Sequence, residues 1–178
     1  MFCSPQRPFA GFSLLEALFV LALVGVIAGL ASPGFVSLRR NAVLASAADQ
    51  LLGALYFAQS AAARRGIPVS VCLSADAVRC SAIPNMRTSG WLLFFDNDRE
   101  SPIQMSPADE RLSTVRLPAG LAIQGTRAAV TFWPAARAGT TATFAICDSR
   151  DLSVGRTVVL SQTGRPRVTP DSGAVCQS

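Results

Sequence analysis

From Ala17 to Leu38 the chain carries no charged side chain. A helix of these 22 residues, rising about 1.5 Å per residue, reaches across a hydrocarbon core of roughly 30 Å. Glu16 stands at its start, where an unpaired carboxylate is expensive in lipid. The run is too long for a signal peptide, and no small-x-small site ends it cleanly. Ser32-Pro33-Gly34 should kink or loosen the helix. Beyond it, Leu44, Ala47, Ala48, Leu51, Leu55, Ala58 and Ala62 recur at three- and four-residue steps and form one apolar stripe. Arg39, Arg40, Asn41, Asp49 and Gln59 fall largely elsewhere. The pattern predicts a helix from Ser13 to Arg64, stopped by Gly66 and Pro68, with its second half lying across a sheet.

From Ile67 the pattern changes to short strands between turn signals. Strands are predicted at Val69–Leu73, Gly90–Phe95, Leu112–Leu117, Leu121–Gln124, Ala129–Trp133, Thr141–Cys147, Arg156–Ser161 and Arg165–Thr169. They would form a mostly antiparallel head of two small sheets. Asp96-Asn97-Asp98-Arg99-Glu100 is read as the turn after the second strand. Three carboxylates in five residues suggest calcium, but the loop lacks the glycine at its sixth position and the glutamate at its twelfth that an EF-hand requires. A solvated turn is the better reading, and no metal is expected.

Gly11-Phe12-Ser13-Leu14-Leu15-Glu16 and the apolar run after it resemble the class III signal of type IV pilins and type II secretion pseudopilins. Pro33 also falls where pilin helices often carry a proline. The resemblance implies that a prepilin peptidase cuts between Gly11 and Phe12, that Phe12 is then N-methylated, and that Glu16 is the retained glutamate at the fifth mature position. A physical reason supports retention. The α-amino group of a neighbouring subunit's Phe12 would pair with Glu16, removing two intramembrane charges at once and fixing the offset between helices. Arg7 precedes the apolar run while Arg39 and Arg40 follow it, so counting charges slightly favours the opposite orientation. The implied cytoplasmic cut, and cysteines suited to an oxidising compartment, place the head in the periplasm.

The chain contains Cys3, Cys72, Cys80, Cys147 and Cys176. Cleavage after Gly11 would remove Cys3 and leave four, which allow three pairings. Sequence proximity favours Cys72 with Cys80 and Cys147 with Cys176. There is no histidine and no C-x-x-C, so a zinc site is improbable. The same absence, together with the lack of a G-x-S-x-G elbow, argues against an enzyme and implies no cofactor. All 16 basic residues are arginine, against 11 acids, a mildly basic balance compatible with nucleic acid or anionic surfaces and proof of neither.

Two segments narrow the resemblance to the GspH/FimT branch of minor pilins and pseudopilins. One is Gly90-Trp91-Leu92-Leu93-Phe94-Phe95-Asp96-Asn97-Asp98. The other runs from Phe144-Ala145-Ile146-Cys147-Asp148 through Gly155–Ser161 to Thr163-Gly164-Arg165-Pro166-Arg167. In DNA-binding members of the FimT type, a G-R-x-R motif near the carboxy terminus contacts DNA during natural transformation. Carried across, it marks Gly164, Arg165 and Arg167, with Arg150 and Arg156 as an extension of the patch. Gly164 permits a tight turn, and two arginines two residues apart on an extended segment share a side. Their guanidinium groups can fork onto phosphates without reading sequence. A hairpin turn with solvated arginines remains the alternative.

The resemblance implies an α+β, type IV pilin-like fold. It comprises a leader at 1–11, a membrane and filament-core helix at 12–38, an amphipathic helix at 39–65 and a β-rich head at 66–178. The expected protein is a minor pilin of a type IV pilus, held in the bacterial inner membrane before it enters the filament. Its implied partners are other major and minor pilins, the prepilin peptidase, the inner membrane and double-stranded DNA. An H-type minor pseudopilin of a type II secretion system is the alternative.

Overall fold

The computed structural model describes residues 13–135, 140–169 and 176, with residues 30–33 described through their backbone alone. Helix α1 runs Leu14–Arg65 and is followed by eight strands: β1 Val69–Ser74, β2 Gly90–Phe95, β3 Glu110–Arg116, β4 Leu121–Gly125, β5 Ala129–Phe132, β6 Ala142–Asp148, β7 Asp151–Leu160 and β8 Pro166–Thr169. The chain divides into two units between Asn41 and Ala42.

In the first unit the large apolar side chains that are described, Leu14 through Leu38, are all exposed. Nothing among the described residues covers them. As separate helical segments, neither Leu14–Gly29 nor Gly34–Arg65 is long and apolar enough to cross a membrane; taken together they are, by length and composition.

The second unit closes its own core. Leu44, Ala47, Ala48, Leu51, Leu55, Ala58, Ala61 and Ala62 of α1 are buried, so the predicted stripe is the packed face. Its alanines let the helix approach the sheets closely, and its leucines supply bulk. Gly66 ends the helix at φ +68°, its N–H bonded to the Ala62 carbonyl, a backbone shape that glycine adopts freely. The strands form two four-stranded antiparallel sheets, ordered β3-β2-β1-β5 and β4-β6-β7-β8. Paired backbone hydrogen bonds between Thr88 and Ile123 stitch one sheet to the other.

Strand alternation sends Val69, Val71, Leu73, Trp91, Leu93 and Phe95 from the first sheet, and Ile123, Phe144, Ile146, Val158 and Leu160 from the second, into one core with the helix stripe. The opposite face of the first sheet is buried too. Cys72, Leu92 and Phe94 lie under Cys80, Ile103 and Met105 of the two loops flanking β2. Cys72 is bonded to Cys80 and Cys147 to Cys176, as sequence proximity suggested. The second bridge sits on the outer face of the second sheet, where the Arg87 guanidinium also donates to the Cys176 carbonyl oxygen at 2.8 Å.

Candidate functional site

The G-R-x-R segment forms the β7–β8 hairpin. Leu160 pairs with Pro166 and Val159 with Arg167, so the connection lies between Ser161 and Arg165. The Gly164 N–H donates to the Ser161 carbonyl at 2.9 Å, closing a turn that Gly164 completes at φ +73°. A turn followed by a left-handed glycine is the usual way to build a three-residue hairpin loop. Ser161 also holds the next residue: its hydroxyl accepts from the Arg165 N–H at 3.2 Å and donates to the Arg165 carbonyl at 3.1 Å.

Gly164 and Pro166 are buried, whereas Arg165 and Arg167 are exposed. Side chains two apart in an extended segment share a face, and here that face is the wet one. The other face is fastened to α1. The Tyr56 hydroxyl donates to the Pro166 carbonyl at 3.1 Å, and a Cβ on Gly164 would lie 3.4 Å from the Gln59 side-chain nitrogen. The motif is thus a short strand clipped to a helix, with both guanidinium groups outward.

Arg150 and Arg156 do not join this pair. Arg150 lies in the β6–β7 turn, at the far end of a 10-residue strand, about 30 Å from the hairpin tip at ~3.3 Å per residue. There it sits beside the buried carboxylate of Asp148 at 3.9 Å and donates to the Ala119 carbonyl. Arg156 pairs in register with Ile146 and shares the core-side face with Val158, whereas Arg167 pairs with Val159 on the opposite face. Strand pleating separates these arginines, so the proposed extension of the patch fails on geometry. Gly11 and Phe12 lie outside the described residues, and Glu16 is exposed in the first turn of α1.

The acidic cluster is not a short turn either. The connection between β2 and β3 runs from 96 to 109, and it folds Asp109 back beside Asp96 and Asp98, with one oxygen of each within 4.8 Å of the others. Asp96 is buried; it accepts from the Ser70 hydroxyl at 2.8 Å and the Arg99 N–H at 2.9 Å. Asp109 accepts from the Asn97 and Ser106 N–H groups. Asp96 and Asp109 thus brace the loop through backbone hydrogen bonds.

The likeness to solved structures defines the fold as that of the type IV pilins. The crystal structure of the type IV minor pilin FimU from Pseudomonas aeruginosa strain PAO1 matches with a TM-score of 0.52 at 24% identity, covering 71% of this chain and 93% of that one. The minor pseudopilin EpsH of the Vibrio cholerae type 2 secretion system matches with a TM-score of 0.50 at 12% identity, covering 71% of this chain and 96% of that one. No curated protein matches the sequence. Residues 6–32 match the prokaryotic N-terminal methylation motif. Residues 47–164 match the family described as Type II transport protein GspH, and the chain belongs to that family. The match stops at Gly164, just before Arg165 and Arg167.

Proposed function

We propose that this protein is a minor pilin of a type IV pilus whose β7–β8 hairpin holds DNA without regard to sequence. The observation that carries the DNA reading is the pair of outward arginines on a hairpin clipped to α1. They stand about 6.6 Å apart along the strand, comparable with the separation of successive phosphates on one nucleic-acid strand. Two phosphate contacts bind weakly and with strong salt dependence, and several subunits in a filament would add avidity. The large apolar side chains described between Leu14 and Leu38, exposed among the described residues, suit an inner-membrane segment that later packs at a filament centre. The methylation-motif match over 6–32 supports peptidase cleavage between Gly11 and Phe12 and methylation of Phe12.

The test is titration of duplex DNA with the full chain in non-ionic detergent, cysteines oxidised, at near-physiological salt. Binding should be sequence-independent, abolished by Arg165→Ala with Arg167→Ala, and unchanged by Arg150→Ala at the far end of β7. No binding by the folded wild type, even at low salt, would defeat the receptor reading. The GspH family match favours a second machine, with this chain as a minor pseudopilin of a type II secretion system. A deletion strain that loses protein secretion and keeps pili and transformation would establish that reading instead.

A further inference from the structure

Pro166 lies opposite Leu160 at a non-hydrogen-bonded position of the ladder, next to the bonded pair Ser161–Arg165, so its carbonyl faces away from β7 and needs a partner elsewhere. Among the described residues, β8 is a four-residue strand at the edge of its sheet. Ser161 fixes Arg165 from within the hairpin, while Pro166 is fixed from outside by Tyr56. Tyr56 is the single tyrosine of the chain and is 48% exposed, so its ring contributes little to the core that Leu51 and Leu55 fill. What its hydroxyl does is bridge 110 positions of sequence to one carbonyl, flanked on both sides by an arginine.

We propose that Tyr56 is the positioning residue of the arginine pair: its hydroxyl, held at the Pro166 carbonyl, keeps Arg165 and Arg167 on one face so that both engage phosphates together. The inference rests on the DNA reading of the hairpin. With the bond in place, two phosphates are neutralised at once. Without it, the peptide after Pro166 turns more freely, β8 frays from its edge, and one guanidinium engages at a time.

The salt dependence of binding separates this role from a merely structural one. Each neutralised phosphate contributes about −0.9 to the slope of log K against log salt on duplex DNA. Two contacts give about −1.8 and one gives about −0.9. A loss of folded protein lowers the active fraction and leaves the slope alone. The experiment compares wild type, Tyr56→Phe and Arg165→Ala, each as the full chain in non-ionic detergent, on a short duplex across a salt series. Amide hydrogen exchange in β8 is read on the same samples without DNA.

Tyr56→Phe keeps the ring and removes only the hydroxyl. It should weaken binding several-fold, drop the slope by about 0.9 as Arg165→Ala does, and speed exchange at Arg167, whose N–H faces β7. Wild-type affinity and slope in Tyr56→Phe would overturn the inference while the DNA reading stood. Weaker binding with an unchanged slope would overturn it as well, reducing Tyr56 to a stabilising contact. No binding by the wild type would defeat the DNA reading itself, and this role of Tyr56 with it.

Discussion

Individual residues in the head are held in shapes that their chemistry makes costly to change. Gly164 is buried at φ +73°, so Gly164→Ala forces an alanine into the left-handed region and costs about 1 kcal/mol. We expect a loss of that size in chemical denaturation, together with weaker DNA binding as the turn reshapes. Asp76 offers a test by pH. One of its oxygens accepts from the Arg79 and Val78 N–H groups and from the Ser74 hydroxyl, and these bonds hold its carboxyl below the usual value. A depressed carboxylate stabilises the fold above its unfolded value of about 3.9, and that contribution disappears as pH falls through the lower folded value. Carboxyl-carbon titration by NMR should show Asp76 protonating below pH 3.8, and Asp76→Asn should flatten the acid limb of the stability profile. An ordinary midpoint for Asp76 would contradict the loop hydrogen bonds.

At the scale of elements, the two disulfides hold different lengths of chain. Cys72–Cys80 closes a separation of 8 residues over the outer face of the first sheet, and Cys147–Cys176 closes 29. Loop-closure entropy assigns about 2.5 kcal/mol to the shorter and about 3.6 kcal/mol to the longer. Cys147→Ser with Cys176→Ser should therefore lower the denaturation midpoint more than Cys72→Ser with Cys80→Ser. The reverse order would show that packing around Cys80, Leu92 and Phe94 outweighs the entropy term. Most elements were legible in the sequence because their signals are local. The stripe of α1 follows from three- and four-residue spacing, and each strand from alternation between turn residues. What could not be read is what depends on distant chain. The bond from Tyr56 to Pro166, the return of Asp109 to Asp96, and the placement of Arg150 at the far end of β7 are set by register and loop path. The arginine pair itself was legible, since i and i+2 share a face wherever the chain is extended.

Taken as a whole, the molecule separates two tasks along one helix. Every core residue of the head lies at or beyond Leu44, and the charge-free run ends at Leu38. Changes before Asn41 should leave the head's stability untouched and act only where the apolar segment meets a membrane or another subunit. Glu16 is the sharpest probe of that separation. On the proposed reading its carboxylate would need a cationic partner in a filament core, and the free amino group that cleavage after Gly11 would create on a neighbouring Phe12 is one. Removing the carboxylate leaves that amino group unpaired in an apolar setting, a penalty of about 3–5 kcal/mol. Since about 1.4 kcal/mol corresponds to a factor of ten in equilibrium, Glu16→Ala should enter filaments at least tenfold less than wild type. Its thermal midpoint and its DNA binding as a dispersed full chain should stay at the wild-type values. Quantifying the protein in sheared filaments against the membrane pool measures the first effect, and a melting curve measures the second. Equal incorporation would rule out the ion pair and leave apolar packing of 14–38 to drive assembly; a lowered melting point would show that the two tasks are coupled after all.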